Sequence, residues 1–589
     1  MRFVPQVLSL YLALSFSWIQ AEAPVRFRSW IAGQEAGGAE HSTTILADGV
    51  RMDSSEWIEI SRGGASVRQL AKHSASRKKD GSLGFTWSLT VAQDPIEGRA
   101  SWSPGRPGQV RLEPKGGTAK DLPVPAGALL WPGDSDDRMK LAARARTAIR
   151  FTTFNPDAEG WNHLDLACSG PDPLPGFPDA VKFQGRIQEG PMKLEAELWV
   201  SPSAGELRQS SQLMGMPVLV QRAELPPPGP APQAGLFERT MKRLPPHPFA
   251  LWVPELTVRW TGSEKVDVPE DPQQKREGDR RLVLKSPALP SSEEAAESPV
   301  KGKPLAEDAP FLESTPLVPF KDPAFDGVMF RLAAREGATR WELARKVNRF
   351  VFEWITEKDY TVGFASAAEV CRNPKGDCTE HGVLAVALLR KLGVPARGVM
   401  GWAALGDTLA LHFWVEVKLK SRWVPIDPTF DLAPASAFRV KLGTTDLANL
   451  SSVGWDSAAQ VFGSGQWTPE KEGDFVWGKG YYANGEVTAG PAIGRLNLPG
   501  TEWLSERGRL FLHAFGQEHS VQATLRPSEA QLRGASRIRS LAKNREGWYL
   551  PGDKRLWIDL DGRWLEIGNL RNNEAIKVLE TLQYSGPGR

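Results

Sequence analysis

The sequence predicts an α+β protein in which a central mixed domain is flanked by β-rich regions at both ends. Three observations point there. The first two hundred or so residues repeatedly alternate apolar with polar positions between Gly, Pro and Asp clusters, the pattern of half-buried strands. Residues 383–389 are apolar almost all round and precede two alternating segments, which places a buried helix beside a sheet. Strand and turn signals then recur from about residue 453 to the end. A chain of 589 residues is too long for one hydrophobic core, and about two to four domains are expected.

At the N terminus, Arg2 precedes an apolar run at residues 7–19, with Ala21 and Ala23 beyond it. The run is about half the length a membrane-spanning helix needs, so residues 1–21 read as a signal peptide. Pro24 disfavours cleavage directly after Ala23. The mature chain is therefore expected to be exported, periplasmic or extracellular, with no integral membrane span. Its three cysteines, Cys168, Cys371 and Cys378, make no disulfide framework, and their odd number leaves at least one free thiol to explain. A net charge of +2 supplies no field that would draw nucleic acid or an acidic membrane. Nothing in the sequence calls for a cofactor.

Residues 25–225 form the β-rich N-terminal domain. Strands are expected at 55–60, 84–91, 110–113, 149–154, 181–187, 194–201 and 217–222, with one helix around 135–148. A curved antiparallel sheet with one covered face follows. The run GFPDAVKFQGRI, with LEAELWV after it, resembles the half-barrels of bacterial lipoprotein carriers in fold alone. Residues 226–310 are rich in proline and charge and cannot bury a core by themselves, so they read as a linker with short strands near 251–260 and 281–285. Residues 311–445 are the central domain. Residues 453–589 form a β-rich C-terminal domain. There, segments 556–560 and 564–567 flank Asp561-Gly562 as a hairpin. A short helix at 573–582 follows, capped by Asn572 or Asn573.

The chemistry is concentrated in the centre. After the turn Asn373-Pro374-Lys375-Gly376, Cys378 falls in the first turn of the apolar helix, which ends at Gly393. Unpaired amides and the helix dipole at that end favour a thiolate, whereas a free cysteine elsewhere is usually a small buried hydrophobe. Leu411, Phe413, Val415, Val417 and Leu419 then alternate with His412, Trp414, Glu416 and Lys418. If a two-residue turn pairs Leu419 with Arg422, Trp414 faces Asp427 and His412 lies diagonally beside it on one face. A histidine oriented by a carboxylate and meeting a thiol at a helix start is the machinery of thiol acyl transfer. Trp402 and Trp414 are candidates for a second oxyanion donor beside the Cys378 N–H, although packing roles are the simpler reading for both.

These motifs, KGDCTEHGVLAVALLRKLGVPARGVMGW, LHFWVEV and RWVPIDPTF, resemble the transglutaminase-like superfamily in order and spacing. FLEST, DPAF and ELARKVNRFVFEWI upstream resemble the start of its domain. The resemblance covers a fifth to a quarter of the chain and implies a papain-like fold, a cysteine-bearing helix packed on an antiparallel sheet. It places the family's nucleophile, histidine and aspartate on Cys378, His412 and Asp427. Phe413 departs from the pattern, since a smaller residue is common there.

Other roles are set against these. Cys371, Cys378 and His381 match no common zinc spacing and lack a fourth ligand, so no metal site is expected. A Cys371–Cys378 disulfide would disable the nucleophile. Cys168 reads as packing, and His381 as packing or cleft lining. Glu380 and Glu416 read as solvated or supporting, and His163, His247, His513 and His519 as structural or surface residues. The expected function is a cysteine hydrolase or acyltransferase acting on protein or peptide amides, with hydrolysis favoured. The alternatives are a cross-linking transglutaminase, which needs a water-excluding acceptor site, and a non-catalytic envelope scaffold that retains the triad.

Overall fold

The computed structural model describes residues 24–585 except 32, 63–64, 91–94, 157–158, 190–191, 214–215, 229–240, 245–252, 254, 263–267, 358–364, 406–407, 421, 449–464, 473–474, 477–485, 489–494, 499–501, 507–508, 525, 528–530, 541–544 and 561–562. The expected signal peptide, His247 and the Asp561-Gly562 turn lie outside the described residues. The protein is β-rich, with its helices concentrated in the middle of the chain.

Fourteen antiparallel strands form the N-terminal sheet. Neighbours pair in sequence from Lys120–Pro123 back to Val25–Ile31. That strand then pairs with Met216–Arg222, and the order runs back to Ile149–Asn155. The helix Pro132–Ala145 links the two halves and lays Met139, Ala142 and Ala143 on the covered face. It starts three residues earlier than the sequence suggests because Pro132 suits a first turn, where no amide donor is needed. Arg146 ends it in the left-handed conformation (φ 53°), sending its N–H back to the Ala142 carbonyl.

The strands expected from alternation are present, together with as many again that alternation did not reveal. Gln34–Leu46 and Ala65–Lys78 are among the latter. The reason is on their covered face, where His41 and Gln69 are buried. Polar residues at inward positions erase the apolar signal on which alternation depends.

Within 226–310, Glu255–Trp260 and Arg281–Lys285 pair with each other, and the former also pairs with Trp467–Glu472. Lys242–Arg243 pairs with the start of the strand Thr408–Leu419, so this region contributes to two sheets. The central sheet runs Lys242–Arg243, Thr408–Leu419, Ala396–Leu405, Arg439–Thr445, with Arg422–Ile426 alongside Thr408–Leu419. The helix Cys378–Lys391 packs on it, buried from Thr379 to Arg390. One continuous hydrophobic cluster joins this layer to the N-terminal sheet.

The C-terminal region has its own core. A seven-stranded sheet is covered by the helix Asn572–Thr581 through Ala575, Val578 and Leu579. Arg571, not an asparagine, is the N-cap residue, and its backbone N–H donates to the Glu574 carboxylate at 2.7 Å. Pairing of Leu560 with Arg563 gives the hairpin expected around 561–562. No described helix is long and apolar enough to cross a membrane.

Candidate active site

Asp377 starts the cysteine helix. Its carboxylate accepts from the Thr379 N–H at 2.9 Å, and Glu380 accepts in return from the Asp377 N–H at 3.0 Å. This capping box satisfies amides that the helix itself leaves open. Cys378 is therefore the first helical residue, and it is part-exposed while the rest of the helix is covered as far as Arg390. Glu380 is fully buried and also takes the Ala365 N–H at 3.0 Å, so it ties the preceding loop to the helix start instead of facing solvent. His381 is buried with its Nδ1 2.6 Å from the Asp377 carbonyl, a packing role.

The partner residues come from the sheet. Leu419 pairs with Arg422 and the register continues to Val415 opposite Ile426, as the two-residue turn requires. One residue further, Asp427 leaves the ladder and closes a tight loop onto Leu432, its N–H donating to the Leu432 carbonyl at 2.7 Å. His412 Nε2 lies 2.8 Å from Asp427 Oδ2. The Cys378 side chain is close enough to the ring to contribute, after Asp427, to the rise of its pKa. The strand parity read from the sequence thus produces the His–Asp neighbour pair, and the helix brings the thiol to it.

Both sheet residues are sealed from solvent, His412 at 2% exposure and Asp427 at 0%. Burial opposes the charged imidazolium, but the Asp427 charge and hydrogen bond, with the contact to Cys378, outweigh it and push the His412 pKa up to about 9. Burial likewise opposes the Asp427 carboxylate. The charges of His412 and Arg439 overcome it and hold the group well below the usual carboxylate range. Arg439 was not singled out from sequence. Its Nη2 donates to the same Asp427 oxygen that faces His412, and its Nη1 donates to Ser436. Thr429 N–H reaches the other carboxylate oxygen at 3.1 Å.

Aromatic rings fix the imidazole plane. Trp414 stacks on it at 6.3 Å between centroids, and Phe430 lies 5.2 Å away. Trp402 packs instead against Trp260, at 6.0 Å, one strand away from His412. Glu416, expected to be solvated or supporting, is buried between Arg397, 2.7 Å away, and Lys441. Cys371 is buried and free, its thiol pushed up to about 12 by burial, and Cys168 is a free cysteine in the N-terminal sheet. His163 contacts the Thr152 hydroxyl at 2.8 Å, and buried His519 reaches the Ala514 carbonyl at 3.1 Å. A groove of about 880 Å³ lies on the N-terminal sheet, lined by Ser55, Lys72, Ser74, Thr86 and Arg99 among others, and includes none of these central residues.

A thiol, an imidazole and a carboxylate in this order are the parts of a thiol acyl-transfer site. Residues 330–428, which contain all three, match the model of the transglutaminase-like superfamily, and the chain carries a domain of that superfamily there. Comparison with curated proteins finds no match. Among solved structures, the chain is similar to a β-barrel-like protein of a domain of unknown function from Brucella abortus, at 10% identity, 34% of this chain, 97% of that one and a TM-score of 0.28. It is also similar to a "Putative Cysteine Protease" from Cytophaga hutchinsonii, at 14% identity, 36% of this chain, 85% of that one and a TM-score of 0.23. LprF from Mycobacterium bovis is similar at 11% identity, 39% of this chain, 100% of that one and a TM-score of 0.15.

Proposed function

We propose that the central domain is a thiol-dependent amide hydrolase, with Cys378 as nucleophile, His412 as acid and base, and Asp427 as the group that orients His412. The observation carrying this reading is His412 bonded to Asp427 at 2.8 Å, with Cys378, the first residue of a helix, close enough to help raise the His412 pKa. The Cys378 thiolate attacks the amide carbonyl carbon, and the carbonyl electrons move to oxygen. The Cys378 backbone N–H at the helix start is a donor for that oxyanion. As the intermediate collapses, the C–N bond breaks and the His412 imidazolium gives its proton to the leaving amine. Neutral His412 then takes a proton from water, whose oxygen attacks the thioester, and the freed thiolate is again paired with imidazolium. A papain-like arrangement of helix and sheet belongs to the same proposal.

Because Cys378 is part-exposed while His412 and Asp427 are covered, the acyl group is approached from the helix start. Hydrolysis needs only water at that part-exposed position, whereas transfer to a second protein needs a site that excludes water, so hydrolysis is favoured. Against fluorogenic peptidyl amides, Cys378→Ala is expected to lose activity by at least about a thousandfold. If the variant keeps that activity, or if Cys378 reacts with a thiol probe no faster than Cys168 and Cys371, the domain is not a thiol enzyme. Adding a primary amine and a glutamine-containing acceptor tests the order of outcomes. Amine incorporation without competing hydrolysis would reverse it.

A further inference from the structure

We propose that Arg439 is a positioning residue for the chemistry at Cys378, supplying the positive charge that lets a thiolate and an imidazolium stand together in a buried site. The inference rests on the thiol-enzyme reading above and adds a fourth member to it.

Asp427 is fully buried and accepts from His412 and Arg439 on the same oxygen, Oδ2. With His412 protonated and Cys378 ionised, the cluster holds two negative charges and, counting Arg439, two positive ones. Without Arg439 the same cluster would carry a net negative charge away from water, which is costly. The cheapest remedy is for one anion to take up a proton. A thiol is a much weaker acid than a carboxylic acid, so the thiolate is the charge most readily given up. Arg439 thus neutralises Asp427 and leaves the charge of the imidazolium for the thiolate. Being permanently charged, it does so at every working pH.

Neighbouring charges do not duplicate this role. On the histidine strand, Glu416 is matched by Arg397 and Lys441. Lys441, two residues from Arg439, is also taken by Asp271. At the helix start, Asp377 accepts from the Thr379 N–H and hydroxyl, and Glu380 from the Asp377 and Ala365 N–H groups, while His381 turns to the Asp377 carbonyl. On the loop after Asp427, Asp431 is matched by Arg349. Arg439 itself is held by the Ser436 hydroxyl and carbonyl, and its residue pairs with Ala403 in the sheet, so its position does not depend on the thiol.

The test needs no knowledge of the substrate. Iodoacetamide alkylation of the full-length chain is followed between about pH 5 and 10, with the modified cysteine assigned by mass spectrometry. Arg439→Gln keeps an N–H donor for Asp427 and removes the charge, while Arg439→Lys keeps the charge and loses the planar fork. The Gln variant is expected to alkylate Cys378 about tenfold or more slowly near neutral pH, with the rate midpoint moved up by about one unit or more. The Lys variant should stay closer to the wild-type midpoint. A folded Gln variant with the wild-type midpoint, whatever its melting temperature, overturns the proposal. So does a Lys variant displaced as far as the Gln one. If wild-type Cys378 is no more reactive than Cys168 and Cys371, the thiol-enzyme reading has failed. If it is fast and the Gln midpoint does not move, only the role of Arg439 has.

Discussion

His412 is a buried residue whose preferred state is the charged one, and that has a consequence for stability. Its folded pKa, about 9, lies above the ordinary value of 6.5, so its contribution is fully present below about pH 6.5 and is lost as pH rises through about 9. Asp427 works in the opposite direction. Its depressed pKa contributes stability above about pH 4, which is lost as the group protonates in acid. The two windows overlap between about pH 4 and 6.5, where the pair is most stabilising. His412→Gln is therefore expected to cost on the order of 2 kcal/mol at pH 6 and much less by pH 9.5, read from denaturant unfolding of both proteins at each pH. A difference that does not change with pH would mean that the imidazole acts through packing against Trp414 and Phe430, not through its charge. At this scale the sequence was informative about three of the four residues of the candidate site. Cys378 was marked by its place at a helix start, and His412 and Asp427 by strand parity. Arg439 was not, because it reaches Asp427 from a strand that pairs with Ala396–Leu405, on the far side from Arg422–Ile426. Nothing local in ASAFRVKLG distinguishes such an arginine from a surface one.

The helix and the strand that carry the site are fitted through one side chain. Phe413 is fully buried between two glycines. A Cβ on Gly382 would come within 2.3 Å of the Phe413 ring, and one on Gly398 equally close. Gly382 is in the helix one turn after Cys378, where alanine would ordinarily gain up to about 1 kcal/mol in propensity. Overpacking costs about 1–3 kcal/mol and the ring has no free side to move toward, so the clash wins. Gly382→Ala is expected to destabilise the protein and to slow Cys378 alkylation, because relief requires the helix to back away from the strand that bears His412. Adding Phe413→Leu should recover part of both losses. A double variant no better than the sum of the two single ones would show that the glycine has another purpose. The sequence revealed Phe413 as a departure but could not reveal its compensation, since the two glycines sit in different elements. The same limit applied in the N-terminal sheet, where inward His41 and Gln69 sit on strands that alternation did not reveal.

Across the whole molecule, the loop that follows Asp427 is one place where the central domain and the C-terminal region meet. Asp431 has only a few per cent of its side chain exposed, and its carboxylate lies 2.5 Å from Arg349 and 3.7 Å from Arg526, which follows a strand of the C-terminal sheet. Asn348 donates to it at 3.2 Å. Burial nevertheless prevails over these partners and pushes the Asp431 pKa up to about 6. For a carboxylate the sign is then unfavourable: the unfolded chain ionises near pH 4 while the folded one does not, so stability is lost between about pH 4 and 6 and stays lost above. Asp431→Asn should therefore stabilise the full chain by about 1–3 kcal/mol at pH 7.5, and the gain should vanish below about pH 4. Arg526→Met separates the two cationic partners. Arg526 is the more distant, so its loss should weaken stability by no more than about 1 kcal/mol and leave the pH dependence in place. Should Asp431→Asn destabilise at every pH, the two arginines outweigh burial, and Asp431 is a clasp between the regions. The site loop would then owe its position to the C-terminal sheet, and Arg526→Met would be expected to slow Cys378 alkylation as well.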